Sequence, residues 1–156
     1  GARRGAGAVH TGPYPALATD AAPLLAAVML CAQGESSLQD RVFEHRFACA
    51  GGFAALGANV RVAERTLYVQ PAVALHGAKL TAPDLRGGAA LVAAALAARG
   101  SSRLGGVELI RRGYADLDRL LAGLGAQIWQ EMPARRELAK KTPTKKQFCL
   151  AIGAKK

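Results

Sequence analysis

The sequence predicts an α/β chain assembled from a repeated β-α-β-α-β-β unit, and three observations predict it. Ala/Leu-rich stretches of helical length alternate with short β-prone stretches bounded by turn residues. Leu56-Gly57-Ala58-Asn59-Val60 returns 68 residues later as Leu124-Gly125-Ala126-Gln127-Ile128, each time after a helix-like stretch and before a β-like one. Upstream of these, Asp20 and Asp84 each open an Ala/Leu-rich helix that ends before a glycine, Gly34 or Gly100, with a Ser-Ser pair close behind. Such self-similarity is the mark of a repeated supersecondary unit.

The elements follow in order. Unit one starts with a helix over 21–33, in which Pro23 is tolerated because the first turn does not need its missing N–H. A strand over 37–40 leads into the loop Val42-Phe43-Glu44-His45-Arg46. A helix over 47–56 ends at Gly57, read as a left-handed cap; Gly51 and Gly52 inside it each cost ~1 kcal/mol relative to alanine. Strands over 59–63 and 66–70 form a hairpin about Glu64-Arg65. Unit two has a strand over 73–76, helices over 84–99 and 113–124, and strands over 103–107 and 127–130. The expected organisation is an N-terminal extension (1–9), two repeat units (10–131) and a basic, disordered tail (132–156).

Composition narrows the function classes. The chain has 156 residues, 51% of them hydrophobic, which is enough apolar surface for one folded domain and too much for disorder over most of the length. A third of the residues are the 34 alanines and 18 glycines, against 8 aromatics, so the core must be built from small side chains at close approach. The longest apolar runs, 21–32 and 87–98, are 12 residues each, short of the ~20 that a membrane-spanning helix needs. The first residue is Gly1 and no apolar signal segment follows, so the chain reads as beginning mid-protein. Its net charge of +10 is unevenly spread. Residues 132–156 carry 8 basic side chains and Glu137, Arg3 and Arg4 add two more, and the 127 residues between hold 11 basic and 10 acidic groups. A near-neutral body argues against nucleic acid as its partner, while the basic end reads as a solvated extension.

Cys31, Cys49 and Cys149 are odd in number and lack a C-x-x-C spacing, so neither a disulfide framework nor a zinc site is expected and a reducing, cytoplasmic setting is the default. Cys31 and Cys49 read as small buried side chains, Cys149 as an incidental exposed thiol. His10, His45 and His76 share no metal-ligand spacing, so no metal and no cofactor are assigned. The chemistry-bearing candidates lie at element ends. Asp20 and Asp84 stand at helix starts, where a carboxylate caps free N–H groups and an anionic ligand is also welcome; plain N-capping accounts for both on spacing alone. Arg46, Arg86 and Arg112 arise at similar places in the two units. They are either solvated surface groups or a convergent clamp for carboxylate or phosphate.

Taken together, Pro13-Tyr14-Pro15 with Thr19-Asp20, Val42-Phe43-Glu44-His45-Arg46-Phe47, Leu56-Gly57-Ala58, Asp84-Leu85-Arg86, and Arg112-Gly113-Tyr114 with Leu124-Gly125-Ala126 resemble one family, the UDP-N-acetylglucosamine 1-carboxyvinyltransferases (enolpyruvyl transferases). The resemblance covers roughly residues 10–130 and looks like the C-terminal part of such an enzyme. It implies part of an inside-out α/β barrel lobe, normally three β-α-β-α-β-β units, with the active site between two lobes. It implies transfer of the enolpyruvyl group from phosphoenolpyruvate to the 3-hydroxyl of UDP-N-acetylglucosamine with release of phosphate, the first committed step of peptidoglycan synthesis. Asp20 matches the aspartate that meets the sugar hydroxyl and takes its proton. Val42, with Phe43 beside it, matches the UDP-sugar contact, and Asp84 an aspartate beside the reacting centre. Arg46, Arg86 and Arg112 match arginines that face phosphoenolpyruvate or close the cleft on it, Arg112 with Asp20 being the catalytic pair. Arg111 stands where the family pattern has an acidic residue, which sets two like charges side by side. The implied partners are the two substrates and an N-terminal lobe that would carry the reactive cysteine and the phosphoenolpyruvate-binding lysine. The chain alone is therefore expected to hold half a site, to be inactive, and to leave an apolar face uncovered; the alternatives are a shikimate-pathway enolpyruvyl transferase, a non-catalytic nucleotide-sugar-binding paralogue and, less in keeping with the near-neutral body, a basic RNA-binding protein.

Overall fold

The computed structural model describes residues 5–71, 74–131 and 149–153. Two four-stranded sheets have the same plan. In the first, the strand order is β1-β2-β4-β3, from β1 (Gly7–His10), β2 (Ser36–Gln39), β3 (Asn59–Ala63) and β4 (Thr66–Gln70). In the second it is β5-β6-β8-β7, from β5 (Lys79–Thr81), β6 (Ser101–Gly105), β7 (Ile128–Glu131) and β8 (Cys149–Gly153). Each opens with a parallel pair, β1 with β2 and β5 with β6, and closes with antiparallel pairs. Helices fill the connections: α1 (Ala22–Met29) and α2 (Ala50–Ala55) in unit one, α3 (Leu85–Ala97), α4 (Val107–Ile110) and α5 (Leu117–Gly123) in unit two. The β-α-β-α-β-β repeat read from the Leu-Gly-Ala echo is the repeat of the fold.

The core lies between the sheets, where α1 packs along α3. Its facing residues are small: Ala22, Ala26 and Ala27 from α1, and Ala90, Ala94 and Ala95 from α3, are buried. Alternation along the strands sends Leu38, Leu67, Leu104, Leu150 and Ile152 into the same layer. Gly57, at φ +87°, ends α2 as expected, and a side chain there would also run into the His76 ring, whose Nε2 stands 2.8 Å from the Cβ position. No helix among the described residues is long and apolar enough to cross a membrane.

Several expectations change. Gly7–His10, of which 7–9 were expected to be extension, pairs residue for residue with Ser36–Gln39; a four-residue strand rich in small residues carries no alternation of its own and exists through its neighbour. The expected disordered tail supplies β8, which inserts between β6 and β7, so Ile152 pairs with both Ser102 and Ile128. The other residues expected in that tail, 132–148 and 154–156, lie outside the described residues, as do Arg3 and Arg4. The expected strand over 73–76 is replaced by β5 at Lys79–Thr81, with His76 making only an isolated bridge to Arg99; residues 72 and 73 are not described. The helix expected over 113–124 shortens to α5 (Leu117–Gly123), and a further short helix, α4, precedes it over Val107–Ile110, where the expected strand over 103–107 ends early at Gly105. None of α5 is fully buried: Leu117 and Leu121 pack against the core while Leu120 and Leu124 are exposed.

Candidate active site

The cleft forms where the carboxyl ends of the parallel strands meet the first turn of α3, the part of an α/β fold that leaves loop backbone and helix N–H groups open to a ligand. Asp20, Phe43, Glu44, His45, Arg46, Asp84, Leu85 and Arg86 line an open depression of about 570 Å³. Another concavity, of about 540 Å³ over the outer side of the first sheet, is lined by Arg61 and Tyr68, among others, and gathers none of the predicted site residues.

Asp20 stands in a 3-10 turn over Thr19–Ala21, whose N-cap position is Ala18, while that of α1 is Ala21. Its carboxylate instead joins the two units. Arg86 Nη2 donates to Oδ2 at 3.0 Å and Arg46 Nη2 lies 3.5 Å from Oδ1. Arg86 also donates to the Tyr114 hydroxyl at 2.9 Å. That hydrogen bond, with the Asp20 charge behind it, outweighs partial burial and raises the guanidinium above its ordinary pKa. Arg46 is only 12% exposed in its side chain, stacks over the Phe43 ring at 4.3 Å and donates through Nε to the Thr19 hydroxyl at 3.0 Å. Two fixed cations thus meet one half-exposed carboxylate. At this exposure each ion pair contributes at most ~1 kcal/mol, so an incoming anion can compete for the guanidinium groups.

Behind them sits Asp40, fully buried, which sequence reasoning treated only as the end of a strand. Its Oδ1 accepts from the backbone N–H groups of Val42 (2.8 Å) and Phe43 (2.7 Å), and its Oδ2 from the Thr19 hydroxyl (2.5 Å), with Arg46 Nε at 3.8 Å. Burial by itself would raise this carboxyl, but the hydrogen bonds from Thr19, Phe43 and Val42 and the Arg46 charge together hold it below its ordinary value. An aspartate at a strand end, with the apolar pair Val42-Phe43 two and three residues on, was the available signal, since Asp side chains bond the backbone at those positions.

The other predicted residues divide. Asp84 is a plain N-cap, its Oδ1 accepting from Gly87 N at 2.7 Å, and it also lines the cleft. Val42 and Phe43 are half-exposed; Phe43 lines the cleft and Val42, beside it, does not. Arg112 does not join the pair: it lies exposed in the turn after α4 and outside the cleft lining, while Tyr114, two residues on, takes the place beside Arg86. Of the three arginines expected to converge, the structure brings together two. Cys49 is buried as expected, and burial, aided by the nearby Asp84 charge, pushes its thiol up to about 12, so it stays protonated and is no nucleophile. Cys31 is half-buried; the side chain of Cys149 is not described. No cluster of three or more metal-ligating side chains occurs among the described residues.

Duplicated β-α-β-α-β-β units, with a cleft that brings Arg46 and Arg86 together with the carboxylates of Asp20, Glu44 and Asp84, define an α/β repeat protein with a mixed-charge cleft. The chain belongs to the EPSP synthase (3-phosphoshikimate 1-carboxyvinyltransferase) family, whose model matches residues 3–121. Among curated relatives, it is 40% identical over 123 residues to UDP-N-acetylglucosamine 1-carboxyvinyltransferase 3 of Symbiobacterium thermophilum, covering 79% of this chain and 29% of that protein. It is 39% identical over 130 residues to UDP-N-acetylglucosamine 1-carboxyvinyltransferase 2 of Bacillus subtilis, covering 83% and 30%. The chain thus spans under a third of the length of these relatives. Among solved structures, the enolpyruvyl transferase NikO from Streptomyces tendae superposes with a TM-score of 0.70 at 34% identity, covering 78% of this chain and 29% of that one. An EPSP synthase from Acinetobacter baumannii superposes over 97% of this chain and 31% of that one with a TM-score of 0.61, but at 14% identity, which speaks for the fold alone.

Proposed function

We propose that this chain supplies one side of the active site of a cytoplasmic enolpyruvyl transferase that moves the enolpyruvyl group of phosphoenolpyruvate onto the 3-hydroxyl of UDP-N-acetylglucosamine, in peptidoglycan and hence cell-wall synthesis. The observation that carries the reading is the convergence of Arg46 and Arg86, from different units, on the Asp20 carboxylate. Identity near 40% to UDP-N-acetylglucosamine 1-carboxyvinyltransferases supports the sugar over a shikimate-type acceptor.

In net terms the reaction replaces the sugar O–H bond and the enolpyruvyl–phosphate C–O bond with a sugar–enolpyruvyl C–O bond and a protonated phosphate. Asp20 is the base that takes the hydroxyl proton. For that it must be released from its two arginines, and an arriving phosphoenolpyruvate, more highly charged than one carboxylate, draws them away. Arg46 and Arg86 then face negative charge that grows on the departing phosphate, where fixed cations lower the barrier. Arg112 adds to this charge on closure of the cleft, and Asp84 flanks the reacting centre. Val42 and Phe43 offer the nucleotide-sugar an apolar surface and a short stretch of loop backbone. The reactive cysteine and the phosphoenolpyruvate-binding lysine of this scheme belong to an N-terminal lobe, so the chain by itself binds without turnover.

Calorimetric titration with UDP-N-acetylglucosamine tests the reading. Saturable binding by the unaltered chain, lost in Asp20→Ala and not reproduced with shikimate 3-phosphate, is the expected result. Absence of heat in a folded sample would overturn it, and sustained phosphate release by these 156 residues alone would overturn the claim of inactivity.

A further inference from the structure

We propose that Asp40, acting through the Thr19 hydroxyl, is the positioning residue of this cleft, setting where Arg46 presents its charge. The ligand named in the test below rests on the enolpyruvyl reading; the positioning itself does not. The Asp40 side chain has no exposed surface, and a carboxylate taken wholly out of water is costly unless its oxygens are used. They are used unequally. Oδ1 alone completes the local turn by accepting from Val42 and Phe43. Had stabilising that turn been its whole task, the second oxygen would need only a solvent partner or a local one. Instead Oδ2 reaches Thr19, 21 positions back in the chain, and the Thr19 hydroxyl that donates to it accepts in turn from Arg46 Nε.

Three of the four contacts that hold Arg46 lead back to Asp40. The Thr19 oxygen that fixes Nε is itself oriented by Oδ2. The negative charge 3.8 Å from Nε belongs to Asp40. The Phe43 ring beneath the guanidinium is carried on backbone whose N–H donates to Oδ1. With Nε committed to the interior, Nη2 is left on the cleft side, where it meets Asp20. A guanidinium has five donors in a rigid fork, so holding one edge fixes the direction of the other. Supporting hydrogen bonds of this kind set the aim of a group that touches ligand without touching ligand themselves.

The test uses Thr19→Val, nearly the same shape without the hydroxyl, and Thr19→Ser, which keeps it; Asp40→Asn is a third variant. One readout needs no ligand: the Arg46 Nε–H resonance in a nitrogen-15 proton spectrum, with the Val42 and Phe43 amides as a control that the loop is intact. The other is calorimetric titration with phosphoenolpyruvate. We expect the Arg46 Nε–H signal to shift and lose protection from solvent exchange in Thr19→Val while the two amides stay in place. We also expect phosphoenolpyruvate to bind about tenfold more weakly there, as for loss of a charge-assisted hydrogen bond, and Thr19→Ser to restore both. An Arg46 signal in Thr19→Val like that of the unaltered chain overturns the proposal, as does unchanged affinity. If the unaltered chain binds no phosphoenolpyruvate, the enolpyruvyl reading fails, and the Arg46 signal decides the positioning claim by itself.

Discussion

Two glycines in neighbouring helices should respond to the same substitution with opposite sign. Gly88 lies in the second turn of α3, and a Cβ added there would stand 2.6 Å from Ile110 Cγ1, 2.9 Å from Ala82 Cβ and 3.0 Å from Ile110 Cδ1. Carbon atoms rest about 3.5–4.0 Å apart, so the methyl group would be about 1 Å too close on two sides. Ala82 cannot turn away, because its Cβ moves only with the backbone, and Ile110 is 1% exposed in a packed layer. Forcing a methyl group into such a site costs ~1–3 kcal/mol, against ~1 kcal/mol gained from helix propensity. Gly88→Ala should therefore lose about 1 kcal/mol net. Gly51, exposed in α2 with no atom within 4 Å of its Cβ position, should keep the propensity gain, and Gly51→Ala should stabilise by ~0.5–1 kcal/mol. The difference of about 2 kcal/mol corresponds to roughly 1 M in the urea midpoint at the slopes usual for small domains. Equilibrium urea unfolding of the three proteins measures it. A Gly88→Ala midpoint at or above that of the unaltered chain would refute the argument that close helix approach, rather than helix propensity, sets the glycine pattern.

Other outcomes follow from the cleft. Asp40, held below its ordinary value in the fold, contributes stability that is fully present above its unfolded pKa of about 4 and is lost as pH falls through the lower folded value. The stability gap between the unaltered chain and Asp40→Asn should accordingly narrow as pH falls below the unfolded value of about 4, and a gap independent of pH would contradict the assignment. Asp20→Asn should bind inorganic phosphate up to about fivefold more tightly than the unaltered chain, because it removes an anion worth ~1 kcal/mol or less that competes for Arg46 and Arg86; calorimetry checks this, and weaker phosphate binding would count against the shared clamp. Arg86→Ala should weaken phosphate binding whereas Arg112→Ala should change it little in the isolated chain, since Arg112 lies outside the cleft lining. Cys49 should resist iodoacetamide at pH 8 in the folded chain and react after unfolding in urea, a contrast that mass spectrometry of the labelled peptide reads directly.

Much of this protein was written in short stretches of its sequence. The hairpin Asn59–Ala63 and Thr66–Gln70 matches its expected limits, because a two-residue turn and the strands beside it are set by neighbouring residues. The Asp84 cap, the Gly57 stop and the Leu-Gly-Ala echo are equally local, and together they were enough for the repeat and the fold class. Asp20 and Arg86, by contrast, are 66 positions apart, and no spacing rule separates an aspartate that caps its own helix from one that pairs with a distant guanidinium. Tertiary structure made Asp20 the junction, placed Tyr114 rather than Arg112 beside Arg86, and buried Asp40 under the loop that it orients. It also made strands of Gly7–His10 and Cys149–Gly153, which have little β signal of their own and acquire their hydrogen bonds from partners elsewhere in the chain. The division has one physical cause. Helix caps, turns and periodicity are energies between near neighbours and can be read in order along the chain. The site is a set of charges brought together by the packing of two units, and its energies exist only between residues that folding makes adjacent.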